Sequence, residues 1–134
     1  MNHASDHPRA NLIATIAVSA LLLFLFIFPR QYLKNLTDDI TAHASAVMEA
    51  SLSGDWQRAE THMRAVSYRF DRGGQVSRLF LNHEDVDELG ALISSAERLV
   101  QVRDDAELVI QLERILSTAS YMGGIETFDI MDLF

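Results

Sequence analysis

The sequence predicts an all-α chain: a single N-terminal transmembrane helix followed by an antiparallel bundle of about four helices, arranged as two stacked helical hairpins. Three observations predict it. An unbroken apolar run extends from Leu12 to Phe28. After it, apolar residues recur every three or four positions, the period of a helix, and no alternating strand pattern interrupts them. Helix start and stop residues stand between the successive apolar stripes.

The apolar run contains no charge, and its only polar residues are Thr15 and Ser19. Both can bond to backbone carbonyls of their own helix, so neither argues against a lipid environment. Residues 12–28 rise about 25 Å as a helix, slightly less than a hydrocarbon core of about 30 Å. Tyr32 suits the membrane interface just beyond the run. The run ends in Phe28-Pro29-Arg30-Gln31-Tyr32, which lacks the small residues of a signal-peptidase site. A retained anchor is therefore expected, with residues 1–30 as tail and anchor and residues 31–134 as an acidic helical domain. Pro29 lacks an amide hydrogen and crowds the carbonyl of Leu25, so a kink or break is expected there. Arg9 precedes the span while Arg30 and Lys34 follow it, a nearly tied count that leans slightly toward a cytoplasmic C-terminus. The short N-terminal tail, the adjacent Asp38 and Asp39, and the acidic remainder favour an extracytoplasmic domain.

The first bundle stripe is Leu33, Leu36, Ile40, Ala44 and Val47, closed by Ser53-Gly54-Asp55. Asp55 is placed to cap a second helix with the stripe Trp56, Ala59, Met63, Val66 and Phe70. Gly73-Gly74 should interrupt that helix, since each glycine costs about 1 kcal/mol in a helix interior. Val76, Leu79, Phe80 and Leu81 then form one more helical turn or a packed connector. Asn82 is the N-cap of a third helix whose first turns hold Glu84, Asp85, Asp87 and Glu88, where the helix dipole favours negative charge. Its stripe is Val86, Leu89, Ile93, Ala96 and Val100. Asp104 and Glu107 have capping-box spacing for a fourth helix, with Leu108, Leu112, Ile115, Ala119 and Met122 inward and Gly123-Gly124 as its stop. The tail, with Phe128, Ile130, Leu133 and Phe134, is expected to pack back as a short helical turn. The turns at Gly54-Asp55 and Arg103-Asp104 echo each other weakly.

The whole chain carries a net charge of −8. From Asn35 onward there are 8 Arg against 18 Asp plus Glu, giving the soluble part about −10. Such a surface repels nucleic-acid phosphates and anionic lipid headgroups, so no nucleic-acid partner is expected, while basic partners or cations stay open. The absence of cysteine excludes disulfides, thiolate metal sites and cysteine nucleophiles. No phosphate-binding glycine loop or nucleophile elbow is present.

These pieces together resemble the uncharacterised bacterial family catalogued as domain of unknown function 4363. The matching segments are the apolar anchor, Gly54-Asp55-Trp56 through Ala59-Glu60, and Leu79-Phe80-Leu81-Asn82-His83-Glu84-Asp85-Val86-Asp87-Glu88-Leu89. The closing helix and its Phe-containing tail fit as well. The resemblance implies a short membrane-anchored helical protein and brings no activity with it. Gly73-Gly74 departs from it, standing where charged helix is expected.

One local cluster offers ligands. On a helix His83 and Asp87 share a face, as do Glu84 and Glu88, so a divalent cation could sit on such a pair. The second histidine of a His-Glu-x-x-His zinc motif would fall on Asp87, and a single histidine falls short of the three or four protein ligands zinc takes. The residues read first as a complementary helix N-terminus. Trp56, the sole tryptophan, is expected to anchor packing between the hairpins, with a partner-binding hot spot as the alternative. His43 and His62 fall on the first hairpin with no nucleophile beside them. The expected function is a non-catalytic, membrane-tethered interaction or accessory module, without cofactor, whose partner is another membrane or envelope protein. The alternative is a divalent-cation sensor or metal-dependent enzyme using His83, Glu84, Asp87 and Glu88.

Overall fold

Asp55 opens the second helix of the chain just as its position predicts, its carboxylate accepting from the Arg58 amide at 3.1 Å. The computed structural model describes residues 8–124 and contains four helices in that range: α1 (Pro8–Leu52), α2 (Trp56–Ser77), α3 (His83–Val102) and α4 (Asp105–Gly124). Each helix packs on its neighbours in the chain, and α4 closes the ring against α1. Short connections make successive helices antiparallel, as in an up-down-up-down bundle. The tail from Ile125 onward lies outside the described residues.

The predicted stripes form the core. Leu33, Ile40, Ala44 and Val47 of α1 are buried, as are Ala59, Met63 and Val66 of α2. Val86, Leu89, Ile93, Ala96 and Val100 of α3 and all five predicted residues of α4 join them. Asn82 caps α3 by accepting from Glu84, and Asp104 accepts from the Glu107 amide at 3.2 Å. The Glu107 carboxylate does not return the bond that would complete a capping box; it accepts from Gln111 instead.

Two expected helix breaks do not occur. The first is at Pro29, which lies inside α1, so anchor and first bundle helix form one element of 45 residues. An interior proline costs about 3 kcal/mol. A break would in addition require a new helix nucleus, and the long helical runs on both sides propagate through the site. The boundary between residues 30 and 31 therefore falls inside a helix.

The second is at Gly73-Gly74, which α2 traverses before ending at Ser77. Gly73 serves close approach. A Cβ on Gly73 would lie 2.5 Å from Leu36 Cδ1 of α1, and both glycines are buried. Ser77 donates its hydroxyl to the Gly73 carbonyl at 2.9 Å, and Tyr32 of α1 reaches the same oxygen at 3.4 Å. Val76 thus belongs to α2, while Leu79, Phe80 and Leu81 form the connector. Gly123 plays a similar part in α4, where a Cβ would stand 2.5 Å from the buried Thr37 hydroxyl of α1.

The echo between the two distal turns is structural. Gly54 (φ 76°) and Arg103 (φ 57°) are both left-handed, and each precedes an Asp that caps the next helix. Glycine meets no steric penalty there, whereas arginine does. Arg103→Gly is accordingly expected to raise stability by up to about 1 kcal/mol. Thermal unfolding followed by circular dichroism checks this; an unchanged or lower midpoint would show that the Arg103 side chain supplies a compensating interaction.

Candidate functional site

The polar chemistry of the molecule concentrates along the seam between α1 and α2. Because the two helices run antiparallel from the turn at Gly54, residues nearly equidistant from that turn meet. Glu49 faces Arg58 at 3.6 Å, His43 faces His62, and Asp39 faces Arg69 at 3.4 Å. The series ends at Tyr32, beside Gly73.

His43 and His62 are half-buried, with Nδ1 atoms 3.0 Å apart and ring centroids 5.3 Å apart. At that separation one ring nitrogen donates and the other accepts. The two residues are thus partners to each other across the hairpin, an arrangement no spacing within either helix discloses.

Near the apolar run the seam opens into a groove of about 380 Å³. Tyr32, Asn35 and Asp39 line it from α1, and Tyr68, Arg69 and Arg72 from α2. The Arg72 guanidinium donates to the Tyr68 hydroxyl at 2.7 Å and lies 5.6 Å from the centroid of that ring. The hydrogen bond to Tyr68 raises the Arg72 pKa above its already high ordinary value. Among the described residues Arg72 has no carboxylate partner, while Arg69 shares its charge with Asp39. A run of stacked aromatics leads to the groove along one face of α1. Phe24 and Phe28 have centroids 5.2 Å apart, and Phe28 and Tyr32 6.0 Å apart.

The residues singled out near the start of α3 are dispersed. His83, Glu84, Asp87 and Glu88 are all exposed. Asp87 pairs with Arg78 and Glu88 faces Arg114 of α4 at 3.8 Å. Among the described residues no three histidine or carboxylate groups converge as a metal cage would require. Trp56 is half-buried at the first position of α2 and packs against the core.

Exposed apolar side chains mark both ends of the bundle. Leu52 and Val102 stand at the two distal turns, and Leu79 and Phe80 on the connector at the opposite end. The large apolar residues from Leu12 to Ile27 are 56–67% exposed. Among the described residues α1 is the one helix long and apolar enough to cross a membrane.

The profile of the family described as Domain of unknown function (DUF4363) matches residues 27–131, taking in all four bundle helices and leaving most of the apolar run outside. No curated protein and no solved structure matches the chain.

Proposed function

The chain belongs to the domain of unknown function 4363 family, and from that premise we propose that it is a non-catalytic, single-pass, membrane-tethered module whose bundle docks another membrane or envelope protein on the extracytoplasmic side. One observation carries the reading: a helix with a bare apolar half continues without interruption into a bundle with a closed core. The bare half would bury its surface in lipid, while the other half already has its partners. The distal tip, with Leu52 and Val102 exposed, is the end that faces away from the bilayer and supplies the docking surface.

Alkaline carbonate washing of membranes should leave the full chain in the pellet, and a reporter fused at Phe134 should be active only outside the cytoplasm. A photo-crosslinking residue at Val102 should give one discrete adduct in native membranes. Complete release by carbonate would sink the tether. A reporter active only in the cytoplasm would invert the topology, and the absence of any Val102 adduct would remove the docking role.

A further inference from the structure

We propose that the groove between α1 and α2 binds the phosphate of an anionic phospholipid, with an acyl chain lying along Phe24 and Phe28. The proposal rests on the membrane-tether reading and names a ligand for it. Four features converge on the groove.

Its depth is the first. Tyr32 stands four residues past the last apolar residue, about 6 Å up the helix, and Asn35 about 10 Å. A headgroup layer occupies roughly 5–8 Å on each side of the hydrocarbon core. The apolar run falls about 5 Å short of that core. The shortfall draws the base of the bundle toward the lipid, so the lower rim of the groove sits among headgroups whichever way the chain faces.

Its donors are the second. Arg72 has its guanidinium held by Tyr68 and its charge unopposed by any described carboxylate. Tyr68 accepts from Arg72, which leaves its own hydroxyl hydrogen to donate to an oxyanion. Arg69 lies alongside, 53% exposed and only loosely paired with Asp39. Two arginines against one aspartate give the groove a local positive charge within an acidic domain. Acids elsewhere on the bundle are screened over about 8 Å in physiological salt.

The third feature selects a lipid over a free phosphate. The Phe24–Phe28–Tyr32 stack is an apolar track on the helix face that ends at the groove, and Tyr32 belongs to both. A soluble phosphate has no use for such a track, whereas an acyl chain attached to the phosphate would lie along it. The fourth is the exposed pair Leu79 and Phe80 on the α2–α3 connector, at the same end of the bundle. Apolar residues exposed there suit an end that rests in the interface.

Electron paramagnetic resonance of spin-labelled lipids in vesicles containing the full chain tests the assignment. Labelled phosphatidylglycerol should be immobilised in preference to labelled phosphatidylcholine. Arg72→Gln should lower the relative affinity for phosphatidylglycerol roughly fivefold, as expected for one cation at a membrane surface. Tyr68→Phe, which keeps the ring and removes the hydroxyl, should lower it in the same direction. Arg98→Gln, an exposed cation far along α3, should change nothing. Helical circular dichroism of each variant verifies that the bundle is intact. Equal immobilisation of the two lipids, or a preference that survives Arg72→Gln, overturns the proposal. Displacement of the labelled lipid by soluble glycerol phosphate would reassign the groove to free phosphates and overturn the lipid as its occupant. Carbonate extraction of the same vesicles separates the two readings. A chain washed out defeats the tether, while a chain retained without lipid preference defeats only the groove.

Discussion

Replacing Leu112 with alanine should destabilise the bundle by about 2–5 kcal/mol, the range measured when a large aliphatic side chain is removed from a closed core. Leu112 is 0% exposed on α4 and belongs to the cluster that all four helices share. The loss combines transfer of the missing carbons with the cavity they leave. Small domains are stable by only about 5–15 kcal/mol, so the variant should approach partial unfolding at physiological temperature. Urea titration of the full chain in detergent, followed by far-ultraviolet circular dichroism, measures it. The span should be untouched, and the variant should still resist carbonate extraction. A midpoint within error of the parent would mean that the α4 stripe is not packed as described.

Leu21→Asp should produce the converse phenotype. Leu21 is near the middle of the apolar run and 56% exposed, with no described partner for a charge. Placing an aspartate at the centre of a membrane helix costs about 3 kcal/mol, and the leucine it replaces contributed about half a kcal/mol in the other direction. Insertion should weaken by at least a hundredfold, and much of the chain should move to the carbonate-soluble fraction. The bundle, whose core begins at Leu33, should keep its urea midpoint. If retention were unchanged, the exposed apolar half of α1 would be a surface for protein contact rather than for lipid.

Stripes and caps were legible in the sequence because each depends on residues within one or two helical turns. Ile40, Ala44 and Val47 repeat at helical spacing, and Asp55, Asn82 and Asp104 stand where an N-cap oxygen meets an amide two or three residues on. Pro29 and Gly73 were misleading for the opposite reason. Local propensity counts their cost, but what offsets it lies elsewhere. Pro29 is itself buried, and the long helical runs on both sides of it propagate through the site. Gly73 faces a partner 37 residues earlier in the chain, Leu36. The groove was hidden likewise. Arg69 and Arg72 look like ordinary surface charges on α2 until the register of the hairpin sets them beside Asp39 and Tyr32. That register could have been counted outward from the turn at Gly54, and the same count brings His43 to His62.

If the apolar half of α1 spans a bilayer as proposed, the passage of the helix through Pro29 would make the molecule a lever pivoted there. From Phe28 to Leu52 the helix extends about 36 Å. A tilt of about 20°, ordinary for a single span, would carry the distal turns sideways by roughly 12 Å. A jointed anchor would absorb such a tilt at its hinge and leave the bundle upright. With helix continuing from anchor to bundle, the tilt of the span would set where the Leu52 and Val102 tip stands.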